Sequence, residues 1–498
     1  MAPNHLALAI DAGTTGVTAL LMDTRGQVVA IGYQEFRQHF PAPGWVEHEL
    51  SEIWSAVCSA VRQARSHTRG VVSAVGITNQ RETVCFWDPE TLGQVRPAIV
   101  WQDRRTAEYC SELAAAGLQS SITAASGLRL DPYFTASKLA WIARNEPHVW
   151  AGITSGQVMI GTVDTYLVAR LSRGVDHITD ATNASRTMLY NLHHRDWSPW
   201  LCETFGVPVS VLPRVGASYG ALSQCEPSVL DGIDAPITAI IGDQQGALFG
   251  HGAVNPGGTK CTYGTGSFLL QHTGQQPVVN DQGLLTTIAL AHPDGTTDYA
   301  LEGSVFVTGA AVQWLRDGLG IIDDAAEIGS LAASVPDSAG VVFVPALTGL
   351  GAPDWDPSAR GTILGITRST TAAHIARATL DAITMHVCDV VDLMRAASGI
   401  SLDELHVDGG PTSNTLLMHL QADALGAMVT RSAHPQTTAL GAALLAGLGA
   451  GWWQSPREAV HQLPGGQQFP CRNADAGWRA TERGRWRAAV ERSKGWDT

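Results

Sequence analysis

The sequence predicts an α/β protein of two halves that face each other across a shared cleft. Three observations predict it. The stretch Ile10-Asp11-Ala12-Gly13-Thr14-Thr15-Gly16-Val17-Thr18 joins two apolar runs, Leu6–Ile10 and Ala19–Met22, through a tight turn of small residues, which is the pattern of a β-hairpin. Roughly 250 residues further on, Thr259–Leu270 repeats strand, Gly/Thr turn and strand around Tyr263-Gly264-Thr265-Gly266-Ser267, at the point where chain length favours a division. Elsewhere strand-like and helix-like stretches alternate, and several strands run into polar or glycine-rich loops, where α/β sheets hold their ligands. The expected halves are residues 1–250 and 251–498.

Each element has a reason. In the first hairpin, backbone N–H groups and the Thr14 and Thr15 hydroxyls offer an anion site, and Asp11 at the strand end is placed to hold Mg²⁺ directly or through water. Gln27–Gln34 alternates as a third strand. Ser51–Ala64 carries Ile53, Trp54, Val57 and Val61 on one face and reads as an amphipathic helix. Val71–Ile77 is a buried strand delivering Asn79-Gln80-Arg81-Glu82, and Ala98–Trp101 is another, delivering Gln102-Asp103-Arg104-Arg105. Tyr109–Trp150 is mostly helical with breaks at Gly127 and Asp131-Pro132-Tyr133, and Asp180–Thr187 is expected as a loop. The strand Ala235–Ile241 feeds Gly242-Asp243-Gln244-Gln245-Gly246. In the second half, Thr371–Ala397 is a helix, and the strand Glu404–Val407 runs into Asp408-Gly409-Gly410-Pro411-Thr412-Ser413-Asn414. Trp452–Thr498 is more polar and irregular, ending in a helix around Ala480–Lys494.

Composition excludes several functions. A net charge of −14 argues against a nucleic-acid binder, which needs a basic face, and leaves room for a local nucleotide site. The eight cysteines are scattered, with no Cys-x-x-Cys pair, so they read as reduced structural thiols and not as zinc ligands. No basic segment precedes Leu6, so no signal peptide is expected. Ala439–Gly451, the most apolar segment, is too short to span a bilayer and reads as a buried helix. The expected setting is cytoplasmic.

The loops Asp11–Gly16, Gly242–Gly246 and Asp408–Asn414 together resemble those of the ribonuclease H-like ATPase fold shared by actin, heat-shock chaperones and sugar kinases. Within it the chain resembles the FGGY carbohydrate kinases. Both stretches typical of that family stand here: Tyr133-Phe134-Thr135-Ala136-Ser137-Lys138-Leu139-Ala140-Trp141-Ile142, and Gly361-Thr362-Ile363-Leu364-Gly365-Ile366 running on to His374-Ile375 and Ala378-Thr379-Leu380-Asp381. Strings such as Pro43-Gly44-Trp45-Val46-Glu47-His48, Gly76–Thr83, Gly161–Thr165, Thr182–Leu189 and Thr348–Pro353 are similar to those of the glycerol kinases.

The resemblance implies ATP-dependent phosphorylation of glycerol to sn-glycerol 3-phosphate, with ATP and Mg²⁺ as cofactors and the site in the cleft between the halves. It implies a glycerol pocket of Arg81, Glu82, Trp101, Tyr133, Asp243, Gln244 and Phe268, with Asp243 as the base. An Arg and a Glu side by side serve adjacent hydroxyls, and aromatic rings cover the C–H edge. Nucleotide contacts fall on Thr14, Thr15, Gly16, Thr265, Gly309, Gln313, Gly410 and Asn414, and the metal partner is Asp11. The family also implies a homo-oligomer, dimer or tetramer, whose surface the sequence does not reveal.

Singly, these residues have ordinary readings: Arg81-Glu82 as a surface ion pair, Trp101 or Phe268 as core, Gly409-Gly410 as a turn. Their joint order carries the argument. Two departures stand out. The family's usual opening has a basic residue where Thr18 stands and Gln where Ala12 stands, which bears on turnover more than on substrate. The stretch Ser218–Pro236 lacks the Gly-rich loop ending in Arg of relatives inhibited by fructose 1,6-bisphosphate, so no such inhibition is expected. A kinase for another small polyol or ketose, or a glycerol-binding relative with impaired catalysis, stays open on the residues alone.

Overall fold

The computed structural model describes residues 5–280 and 282–497. Its first sheet contains β1 (His5–Ala12), β2 (Gly16–Asp23), β3 (Val28–Glu35), β4 (Val71–Asn79), β5 (Tyr219–Gln224) and β6 (Pro236–Gly242), in the order β5-β6-β4-β1-β2-β3. β1, β2 and β3 form an antiparallel meander. β4 and β6 then add in parallel, and β5 closes the edge antiparallel. The second sheet contains β7 (Thr259–Tyr263), β8 (Ser267–Gly274), β9 (Leu285–Ala291), β10 (Thr297–Val305), β11 (Glu404–Asp408), β12 (Met428–Arg431) and β13 (Gln467–Phe469). Its order, β9-β10-β8-β7-β11-β12-β13, repeats the plan: antiparallel strands on one side, β7, β11 and β12 parallel, and an antiparallel edge. Around the sheets lie α1 (Leu50–Ser66), α2 (Thr135–Asn145), α3 (Asp243–Gly250), α4 (Gly309–Asp317), α5 (Ala372–Ser398), α6 (Thr415–Leu425) and α7 (Thr437–Gly449).

β1 shows how sequence sets the layers. Its side chains alternate, and both faces are buried because helices cover both. Leu6, Leu8 and Ile10 meet Ile53, Val57 and Val61 of α1. Ala7 and Ala9 turn the other way, toward Ala439, Ala442 and Ala443 of α7. Small residues on that face let α7 come close: a Cβ on Gly76 of β4 would stand 2.5 Å from the Ala442 carbonyl oxygen. The apolar segment near the end of the chain is therefore a helix lying on the first sheet, although in sequence it falls between β12 and β13 of the second.

α7 crosses α3 with backbone against backbone. A Cβ on Gly441 would lie 1.9 Å from the Gly246 carbonyl oxygen, and one on Gly250 would lie 2.2 Å from that of Thr437; only glycine fits at such distances. The other side of α3 meets the second sheet, where Leu248 packs with Leu270, Ala289 and Ala300. α3 thus sits between the halves.

Some elements differ from expectation. The strand before Trp101 is Gln94–Ile99, so Trp101 lies in a turn. The expected loop Asp180–Thr187 contains a helical turn, Ala181–Ala184, because the buried Asp180 carboxylate accepts from the Thr182 and Asn183 N–H groups at its start. The last helix begins earlier, at Ala476, where Asp475 accepts from Gly477 and Trp478. No helix among the described residues is long and apolar enough to cross a membrane.

Candidate active site

One end of the cleft is built from charged side chains withdrawn from water. β4 ends at Asn79, and Glu82 adopts a left-handed conformation with φ of 62°, rare for a residue with a side chain. The Thr83 N–H closes this turn onto the Arg81 carbonyl at 2.7 Å. Arg81 and Glu82 are both buried. The Arg81 guanidinium makes two parallel bonds to Glu302, at 2.7 and 3.0 Å, and donates to Gln245 Oε1 at 3.1 Å. Its Nε lies 3.2 Å from Asp243. Arg186 donates to Glu82 at 2.6 Å and to the same Glu302 at 3.0 Å. The run Glu82–Arg186–Glu302–Arg81–Asp243 thus joins β4 of the first half to β10 of the second.

Burial alone would raise Glu302, but Arg186 and then Arg81 outweigh it and hold the carboxyl down at about 2. For Glu82 burial prevails over both arginines, and its pKa is raised. Asp243 differs from its neighbours by being open: its side chain is 26% exposed, against 2% for Arg81. It begins α3, whose entry is fixed by the Gly242 N–H donating to Thr182 Oγ1 at 2.8 Å. A Cβ at Gly242 would meet Arg81 Cδ at 2.7 Å, so glycine makes room for the guanidinium.

Three aromatic rings face this end. Trp101 stands edge-on to Tyr133 at 5.3 Å and to Phe268 at 6.3 Å, the latter ring coming from the opposite half. Trp101 Nε1 donates to Thr14 Oγ1 at 3.0 Å, tying the aromatic wall to the first hairpin. Lys138 of α2 holds the segment that carries Tyr133 by donating to the carbonyls of Pro132 and Tyr133 at 2.7 and 2.6 Å.

The other end is made of backbone and glycine. In the first hairpin the Gly13 N–H bonds the Gly16 carbonyl at 3.0 Å, leaving Thr14-Thr15 as the turn. Thr15 is exposed and Thr14 half-buried. Gly16 is buried under the ring of Tyr33, whose hydroxyl lies 2.6 Å from where a Cβ would be. In the second hairpin, Gly264 and Thr265 carbonyls accept the N–H groups of Thr308, Gly309 and Ala310 at 2.9 to 3.1 Å. The hairpin tip and the start of α4 are one piece, and a Cβ at Gly309 would sit 2.6 Å from the Gly264 oxygen. Gln313 is exposed on the same helix. Gly409, with φ of 92°, passes so near Tyr263 that a Cβ would stand 1.9 Å from its carbonyl, whereas Gly410 faces open space. Asn414 caps α6, its Oδ1 accepting from the Leu417 N–H at 3.2 Å. Contacts of Gly309 with Gly264 and with Pro411 bring the three loops together.

Between the two ends lies Asp11. Loss of hydration, then the charge of Asp243, raise its pKa to about 8. Two carboxylates that repel each other fit a divalent cation that keeps further ligands for phosphate and water. Among the described residues no three His, Cys, Asp or Glu side chains converge on one metal position, so this pair would share such an ion with a nucleotide. Thr18, the position that departs from the usual pattern, is the cross-strand partner of Asp11 and is buried.

Sequence reasoning missed Glu302, Arg186 and Gln245. A charged residue inside the apolar strand Tyr299-Ala300-Leu301-Glu302-Gly303 is the signal that marks the first. Arg186 lies in the string Thr182–Leu189, which by itself assigns it no role.

Two sheets of one plan, each opening on a Gly/Thr hairpin with an acid-led helix between them, define the actin-like ATPase fold. The chain belongs to the FGGY family of carbohydrate kinases: the family's N-terminal domain matches residues 6–250 and its C-terminal domain residues 259–450. A glycerol kinase of Gloeobacter violaceus is 48% identical over 489 residues, covering 98% of this chain and 97% of its own. One of Aromatoleum aromaticum is 50% identical over 493 residues, with 98% and 99% covered. Among solved structures, Plasmodium falciparum glycerol kinase with ADP superposes with a TM-score of 0.92 at 33% identity, covering 98% of each chain. A gluconate kinase of Lactobacillus acidophilus, at 20% identity and a TM-score of 0.88 over 98% of this chain and 97% of its own, shares the fold.

Proposed function

We propose that the protein transfers the γ-phosphoryl group of ATP to glycerol, giving sn-glycerol 3-phosphate. The observation that carries this reading is the closed polyol end: a buried Arg81 and Glu82 beside the open Asp243, beneath Trp101, Tyr133 and Phe268. The glycerol kinases that match nearly the whole chain support it. Arg81 donates to one hydroxyl and Glu82 accepts from its neighbour, while Gln244 adds a third polar contact. Trp101, Tyr133 and Phe268 cover the carbon edge. A site with a partner for each hydroxyl rejects analogues lacking one, since its own buried groups are then left unpaired.

Asp243 sits at the start of α3 with one face open to the cleft, and takes the proton of the attacking hydroxyl. In a loose transition state that proton moves late, so orientation and charge neutralisation carry most of the rate. The Thr14-Thr15 turn and the Thr265 hairpin offer N–H and hydroxyl donors to the phosphates. Gly309, Gln313, Gly410 and Asn414 hold the nucleotide's base and sugar, the glycines allowing close approach, and Gly16 contributes through the packing of the first turn. Asp11, with Asp243 beside it, would hold Mg²⁺, which supplies neutralising charge to the phosphate oxygens. The eight free cysteines agree with work in a reducing, cytoplasmic setting. A dimer or tetramer belongs to the same reading, and light scattering tests it.

A coupled ADP-release assay with Mg-ATP and a panel of glycerol, tetritols, pentitols and ketopentoses tests the proposal. Preference for a longer polyol or a ketose sinks it. Thr18 opposite Asp11 favours one second reading, a protein that binds glycerol but turns over slowly. Thermal stabilisation by glycerol with no ADP formed would establish that reading instead.

A further inference from the structure

Lys260 has no part in the roles assigned above. It lies on β7 in the interior of the second half, fully buried, and a lone ammonium there would forfeit its hydration. All three of its N–H donors are met. One goes to Gln244 Oε1, one to Thr262 Oγ1 at 3.0 Å and one to the Phe268 carbonyl at 3.3 Å. Burial pulls its pKa down, while Asp408, Glu302 and Asp243 act to keep it charged. The ammonium therefore ties the Gln244 side chain, from α3 of the first half, to the main chain of Phe268, in β8 of the second.

We propose that Lys260 is a positioning residue for polyol recognition, acting through Gln244. An ammonium has donors and no acceptor. It forces the amide to turn its oxygen inward and to present its NH₂ group to the cleft, since the flipped amide would set donor against donor. A hydroxyl that gives its proton to Asp243 can accept from that NH₂ group, so the corner of the pocket is fixed as a donor. The bond also spans the two halves, so the donor is in place when they are docked. This inference rests on the glycerol reading.

The test is a double-mutant cycle on the full-length enzyme with glycerol and Mg-ATP. Lys260→Met should raise KM for glycerol by about 10- to 100-fold and change kcat by less than about threefold. Gln244→Ala should do much the same, and the double variant should be no worse than Gln244→Ala alone within about twofold. Lys260→Gln, which can still donate to the Gln244 oxygen, should recover part of the lost affinity and serves as the folded reference if the Met variant does not accumulate. An unchanged KM in both Lys260 variants, or effects that multiply in the double variant, overturns the inference. If the unsubstituted enzyme forms no ADP with glycerol, the glycerol reading itself has failed, and this inference falls with it.

Discussion

The two ends of the cleft are made of different materials. The proposed polyol end is built of side chains: Arg81, Glu82, Arg186 and Glu302 are all buried and joined through Arg186 and Glu302. The proposed nucleotide end is built of main chain, with Gly264, Thr265 and Gly410 exposed on loops that are braced by backbone hydrogen bonds. The difference teaches how each end pays for its ligand. Buried charges are costly unless paired, so removing one member of this end should be expensive. The nucleotide end buries little and offers N–H groups that any polyphosphate can use.

The contrast makes its sharpest prediction at Asp243, the one acid of the polyol end that stays open. Asp243→Asn should lower kcat by about 10³-fold while glycerol still raises the melting temperature; retained turnover would remove Asp243 from the role of base. Next comes Glu302→Ala. It strands two buried arginines and should cost about 3–5 kcal/mol, read by chemical denaturation together with loss of the glycerol-induced shift. At the nucleotide end the pattern should invert. Gly410→Val meets open space, so stability should stay within about 0.5 kcal/mol while KM for ATP rises and KM for glycerol holds. Equal losses of stability at Glu302 and Gly410 would erase the distinction between the ends.

A smaller effect concerns pH. Glu302 is held at about 2, below its ordinary value of 4.5, chiefly by Arg186 and Arg81 against the opposing cost of burial. Its folded pKa is depressed, so the stability it contributes is fully present above 4.5 and is lost as pH falls toward 2. Glu302→Gln should flatten that part of the acid-denaturation curve; an unchanged slope would mean that other carboxylates set it. The smallest expected effect is none at all: fructose 1,6-bisphosphate should leave the activity unchanged, since Tyr219–Gln224 forms an edge strand and carries no basic residue.

These materials also decide what could be read in advance. Gly309 and Gly409 stand where one backbone passes close to another, and Gly410 stands where the chain is open, so the glycine-rich loops themselves were legible in the letters. The charge network was not. Arg81 and Glu82 were named through the resemblance, but Arg186 and Glu302 are ordinary charges until the fold brings β10 beside β4, and of these two only Glu302, set in an apolar strand, left a trace. The alanine-rich helix α7 announced its burial but not its partner. Its small residues fit the Ala7 and Ala9 face of β1, a match between segments more than 400 residues apart.

The crossing of α3 and α7 has a mechanical consequence. Where helices mesh through large side chains, turning one against the other means unlocking and refilling a jigsaw. Here Gly246 and Gly250 meet Gly441 and Thr437 main chain to main chain, and there are no teeth to disengage. The contact is a plain bearing in form: it holds α3 and α7 at a separation set by backbone alone. One added methyl at Gly441 would be grit in it.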